Sequence, residues 1–136
     1  MATTFGGRVL RALLIGLVAV LAGLTLYSWL ALKFEYSNGD RAGVLQKFSR
    51  KGWICKTYEG ELALYVVAGV QPEIWNFTVR DPKLADTLAA AVGERAQLHY
   101  VEHRGLPSSC FGETGYFVDR ITAISAAPLS VQPAAR

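Results

Sequence analysis

One stretch of 21 residues without a charge, Ala12–Leu32 (ALLIGLVAVLAGLTLYSWLAL), constrains this chain more than any other. As a helix rising about 1.5 Å per residue it is roughly 31 Å long, the thickness of a bilayer's hydrocarbon core. Thr25 and Ser28 are its polar residues, and both can bond their own helix backbone. Tyr27, Trp29, Phe34 and Tyr36 gather at its far end, as at the point where a helix leaves lipid for water. Arg8 and Arg11 directly precede it, the layout of a signal-anchor. A cleaved signal peptide is the alternative, with Val20 and Ala22 where a peptidase reads. Against cleavage, the apolar run continues for ten residues past Ala22.

The sequence pI near 9.0 overstates the basic character of the chain beyond the apolar run. After the run come 12 basic and 11 acidic residues, so the remainder carries about one positive charge and no electrostatic footprint for nucleic acid. Ala12, Gly16, Ala19 and Gly23 fall on one side of the apolar helix. That face suits close packing against another membrane protein or a second copy, although small residues are common in membrane helices anyway.

The chain is expected to divide into a flank (1–11), a transmembrane helix (12–32), a linker (33–41), one domain (42–125) and a disordered tail (126–136). Asn38-Gly39-Asp40 is a turn signal in the linker. Period-two patterning then predicts strands over Ala42–Phe48, Trp53–Leu64 and Glu73–Val79, with a tight turn at Arg50-Lys51-Gly52 and a bulge at Gly60. Val66–Pro72 reads as an apolar loop or strand end. Asp81 as N-cap, Pro82 at the first helical position and Gly93 at the end bracket one helix. Leu84, Leu88, Ala91 and Val92 form its apolar stripe. Arg95–His103 and Tyr116–Ile124 complete five strands, with Gly105–Gly115 as a long loop between them. A transmembrane helix followed by a mainly-β domain is the fold class. Within it, β-β-β-α-β-β is the element order of an OB-like five-stranded barrel, and an open antiparallel sheet with the helix on one face competes.

The stretches Tyr36-Ser37, Gly39, Arg41 and Gly43, then KFSRKGWICKTYEGEL (Lys47–Leu62), FTVRD (Phe77–Asp81), LHYVEHRG (Leu98–Gly105) and SSCFGETGYFV (Ser108–Val118) carry a likeness. Across residues 36 to 120 the chain resembles an uncharacterised family of short bacterial single-pass membrane proteins. The resemblance implies no catalytic or binding residue. Members sometimes bear a phosphogluconate dehydrogenase label, which this sequence does not support. It has no GxGxxG after a strand and no room for a dinucleotide domain plus a substrate domain.

Several groupings invite chemistry. His99-Tyr100-Val101-Glu102-His103 matches H-x-x-E-H, a zinc pattern that needs both histidines on one helix face. Alternation here predicts a strand, on which residues four apart lie about 13 Å from each other, too far to share a metal bonded at about 2 Å. A metal-dependent hydrolase using His99, Glu102 and His103 is therefore the weaker alternative, and no cofactor is expected. Cys55 and Cys110 are more informative. In an OB barrel the loops after strands one and four share a mouth, which would bring these cysteines together as a disulfide in an oxidising compartment. Two separate thiols are the other possibility. Arg50, Lys51, Trp53, Lys56, Tyr58 and Phe111 surround the same mouth. Basic residues interleaved with aromatics suit single-stranded nucleic acid or carbohydrate, but Glu59, Glu61 and Glu113 cancel much of the field.

Flanking charges do not decide orientation, since Lys33, Arg41, Lys47, Arg50 and Lys51 lie on the far side of the helix. A short arginine-bearing N-terminus and the cysteine pair both favour a domain outside the cytoplasm. The expectation is a non-enzymatic protein of the bacterial inner membrane with a periplasmic domain. It would bind or steady another membrane protein or a second copy, as an accessory subunit, without nucleic acid.

Overall fold

Helix α1 runs unbroken over Phe5–Lys33 in a computed structural model that describes residues 5–64 and 68–126. Its mean hydropathy reaches 2.4, so it is long and apolar enough to cross a membrane, and none of its residues is buried by protein. The two hydroxyls behave as their positions predict. Thr25 Oγ1 donates to the Leu21 carbonyl and Ser28 Oγ to the Leu24 carbonyl, each at 2.8 Å. At the C-terminal end the Lys33 ammonium sits 4.7 Å from the Trp29 ring centre. Residues Met1–Phe34 and Glu35–Arg136 are separate compact units.

The second unit contains β1 (Ser37–Lys51), β2 (Thr57–Ala63), β3 (Ile74–Val79), α2 (Pro82–Ala90), β4 (Arg95–Glu102) and β5 (Tyr116–Ser125). The strands close into a barrel in the order β1-β2-β3-β5-β4, with β1 also paired to β4. All pairings are antiparallel except the short β3/β5 seam, where Thr78 faces Phe117 and Val79 faces Val118. Closure depends on β1. Its first half pairs with β4 and its second with β2, and Val44 belongs to both ladders, opposite Arg95 and Ala63. A register shift between Leu45 and Lys47 lets the strand bend between its two neighbours.

Inside lie Leu45, Leu62, Phe77, Val79, Leu98 and Val118, with Leu88 and Ala85 of α2 among them. Asp81 caps α2 as expected, its Oδ1 accepting from the Lys83 amide at 2.9 Å. Arg41 projects over an aromatic cluster, its guanidinium carbon 5.1, 5.5 and 5.6 Å from the ring centres of Trp75, Tyr100 and Tyr116. Such cation–π contacts help to hold a charge among rings.

Several boundaries differ from the sequence reading. Asn38-Gly39-Asp40 is strand, not turn, because it pairs with Val101, Tyr100 and His99 of β4. Gly39 lies beside the Tyr100 ring, where a Cβ would make only ordinary contact. Trp53–Lys56 is hairpin loop, and β2 begins only at Thr57. Gly60 is not bulged; a Cβ there would run into the Phe77 ring. Val92 lies past the end of α2 and is exposed, while Ala85 takes the buried position. Residues 127–136 of the expected tail, and 66 and 67 of the Val66–Pro72 loop, lie outside the described residues.

Candidate functional site at the hairpin mouth

The β1–β2 hairpin closes at the Lys51–Thr57 pair, and five residues, Gly52–Lys56, form its tip. Gly52 adopts φ +124°, a conformation open to glycine, and a Cβ would strike the Cys55 carbonyl. Cys55 is disulfide-bonded to Cys110 of the β4–β5 loop, with Cα atoms 4.9 Å apart. The expected pairing is therefore present, across 55 positions.

A second set of contacts fixes the β4–β5 loop on the barrel. Buried Glu59 accepts from Thr78 Oγ1 at 2.8 Å and from the Glu113 amide at 3.1 Å. Thr114 adds its amide to Thr78 Oγ1 at 3.3 Å, and the two threonine hydroxyls lie 3.0 Å apart. Gly112 packs so tightly on Thr78 that a Cβ would come within 2.7 Å of the threonine methyl. The outer face of β2 and β3 is thus partly covered by the chain's own loop. A hollow of about 280 Å³ stays open there, lined by Glu59, Glu61, Asn76, Glu113, Thr114 and Lys51. Lys51 pairs with Glu113 at 3.6 Å, and Lys47 with Glu61 at 3.5 Å. A polyanion laid on this face would meet carboxylates.

The six mouth candidates separate into different environments. Arg50 lies over the Tyr58 ring at 5.7 Å, and Tyr58 stacks on Phe48 against the core. Lys51 is engaged by Glu113. Phe111 is half-buried, and Lys56 is exposed. Trp53 stands clear of the protein, as does its neighbour Ile54, which sequence reasoning passed over. Between tip and loop is a hollow of about 340 Å³ lined by Trp53, Ile54, Cys55, Thr57, Ser109 and Cys110, among others. Ala12, Gly16, Ala19 and Gly23 belong to the other unit and are all exposed.

The H-x-x-E-H residues point to separate partners. His99 Nδ1 is 2.7 Å from Asp119 Oδ1, the His103 ring meets Phe117 edge-on at 5.4 Å, and Glu102 takes hydrogen bonds from Ser37 Oγ at 2.6 Å and Arg104 Nε at 2.9 Å. Among the described residues no three His, Cys, Asp or Glu side chains are placed to hold a metal.

Glu102 supplies a pH test. The Ser37 hydroxyl first, then Arg104, hold its carboxyl below the ordinary value of 4.5. With the folded value below the unfolded one, its contribution is full above the ordinary carboxylate range. It is lost as pH falls through the depressed folded value. In urea unfolding across an acid series, wild type should lose midpoint on acidification more steeply than Glu102→Gln. Parallel curves would show that Glu102 contributes no linkage.

Residues 35–127 match a family described as a domain of unknown function (DUF8785). The chain belongs to the DUF8785 family. No curated protein and no solved structure matches it. The DUF8785 match takes in the whole strand-and-helix unit, including both cysteines and the Glu59–Thr78–Thr114 clamp that sequence reasoning missed. The sequence holds no local cue to the clamp: Thr78 occupies an outward, polar position in the alternation of Trp75, Phe77 and Val79, and only the fold makes it 0% exposed and in need of a partner.

Proposed function

We propose that this protein is a single-pass, membrane-anchored binding protein rather than an enzyme, an accessory component of a membrane protein assembly. In this reading α1 is an uncleaved signal-anchor in the bacterial inner membrane, and the barrel is an OB-like domain on the periplasmic side. The single observation that carries it is the construction of the mouth. Its polar groups, buried Glu59 and Thr78 with half-buried Thr114, satisfy one another and lock the β4–β5 loop, and a disulfide locks the hairpin to that loop. Polar groups so engaged hold a surface in shape and leave none poised as base or nucleophile.

Two further features support the details. Five strands with β5 inserted between β3 and β4, and a helix between β3 and β4, fit a Greek-key OB arrangement. A disulfide persists in an oxidising compartment, which favours the periplasm. Within the bilayer, the Ala12/Gly16/Ala19/Gly23 face offers a close-packing surface for a membrane partner or a second copy.

Crosslinking in intact cells, followed by gentle solubilisation and blue-native separation, tests the proposal. The expected result is one reproducible assembly larger than the monomer, weakened when Gly16 and Gly23 are both replaced by leucine. An isolated monomer throughout would overturn it.

A further inference from the structure

We infer that the hairpin tip Trp53-Ile54 is a second membrane contact, inserting into the headgroup region of an anionic lipid surface. The inference goes beyond the partner-binding proposal but rests on its reading of α1 as a membrane anchor. Trp53 is 102% exposed and Ile54 is 96% exposed, more than any other large apolar residue described in the barrel unit. Their backbone is held at the tip from both sides. Gly52 turns the chain, the Lys51–Thr57 pair closes the hairpin behind them, and the Cys55–Cys110 bond fastens the tip to the neighbouring loop. A hairpin tip is ordinarily polar, so rigid presentation of a tryptophan and an isoleucine calls for an apolar or interfacial environment.

The surrounding charge favours lipid over protein. Residues 50–56 read RKGWICK, and because Lys51 is paired with Glu113 at 3.6 Å, Arg50 and Lys56 supply the positive charge beside the tip. Tryptophan seeks the headgroup layer of a bilayer, and flanking Lys and Arg are drawn to anionic lipid. The apolar area is also small. Two side chains, one of them an aromatic that buries about 150–250 Å², fall well below the roughly 800 Å² per partner of a stable protein interface. They suffice for a contact that a tether already holds near the membrane, because tethering turns the second contact into an intramolecular one. The tether is short. Ser37 follows Lys33 by four residues.

The chain's three tryptophans make the test direct. Trp29 is at the end of α1, Trp53 at the tip, and Trp75 in the core at 5% exposure. The full-length protein is placed in nanodiscs whose lipids carry brominated acyl chains, either phosphatidylglycerol-rich or purely phosphatidylcholine. The difference in emission between Trp29→Phe and Trp29→Phe/Trp53→Phe isolates Trp53 and leaves Trp75 untouched. The expected result is Trp53 emission at shorter wavelength, quenched about twofold in phosphatidylglycerol discs and less in phosphatidylcholine or high salt. Arg50→Glu with Lys56→Glu should reduce the quenching. Trp53 that stays water-like and unquenched, while Trp29 is quenched, overturns the inference and leaves the tip to a protein partner. Unquenched Trp29 would mean that α1 is outside the bilayer, and the inference would fail along with the anchor.

Discussion

Replacing Cys55 and Cys110 together by serine lowers the unfolding free energy of the barrel domain by up to about 4 kcal/mol, the chain-entropy figure for a crosslink closing a loop of this length. The two cysteines lie 55 positions apart, on loops that no backbone ladder joins. Reduction therefore frees most of the sequence between the hairpin and the β4–β5 loop in the unfolded chain. For a domain of this size, whose whole stability is of order 5–15 kcal/mol, that is a large share. Urea unfolding followed by near-ultraviolet circular dichroism, with and without reductant, measures it. The oxidised midpoint should lie well above the reduced one, and the double-serine protein should match the reduced wild type. A midpoint insensitive to reductant would mean that the Glu59–Thr78–Thr114 clamp alone fixes the mouth. Reduction is also expected to leave the barrel folded, because the core packing and the clamp are made without the sulfur atoms.

What was legible in the sequence was what local chemistry dictates. Asp81, Pro82 and Gly93 announce α2 because capping, a fixed proline φ and a left-handed glycine act within a few residues; Gly93 does adopt φ +91°. The alternation of Trp75, Phe77 and Val79 gives β3 because both its face and its period are local properties. The disulfide was legible only through an assumed topology, since nothing near Cys55 points to Cys110. The misreadings share one cause. Asn38-Gly39-Asp40 has turn composition, but pairing to β4 decides its conformation. Trp53 and Ile54 look like strand because apolar residues usually are buried, whereas here they sit at a hairpin tip. Glu59 looks like one more surface charge because the groups that satisfy it, Thr78 and the Glu113 amide, come 19 and 54 residues later.

Gly43 shows how far barrel closure depends on one missing side chain. It precedes Val44, the residue at which β1 is paired to both β4 and β2. A Cβ at Gly43 would land on the carbonyl of Ala63 in β2, a backbone atom that cannot rotate away. Valine there must push β2 from β1 at the point where the ring closes, and a cost of about 3 kcal/mol or more is expected. Gly39, on the same strand, is the control. A Cβ at that position would meet the Tyr100 hydroxyl at 3.4 Å, an ordinary contact with the end of a side chain. Gly39→Ala should therefore change stability by no more than about 1 kcal/mol. Thermal unfolding of both variants beside wild type decides the matter. Equal effects would mean that closure does not hinge on the approach of β1 to Ala63. A large loss at Gly43 alone would locate the constraint at the shared residue pair, where one strand has to serve two neighbours.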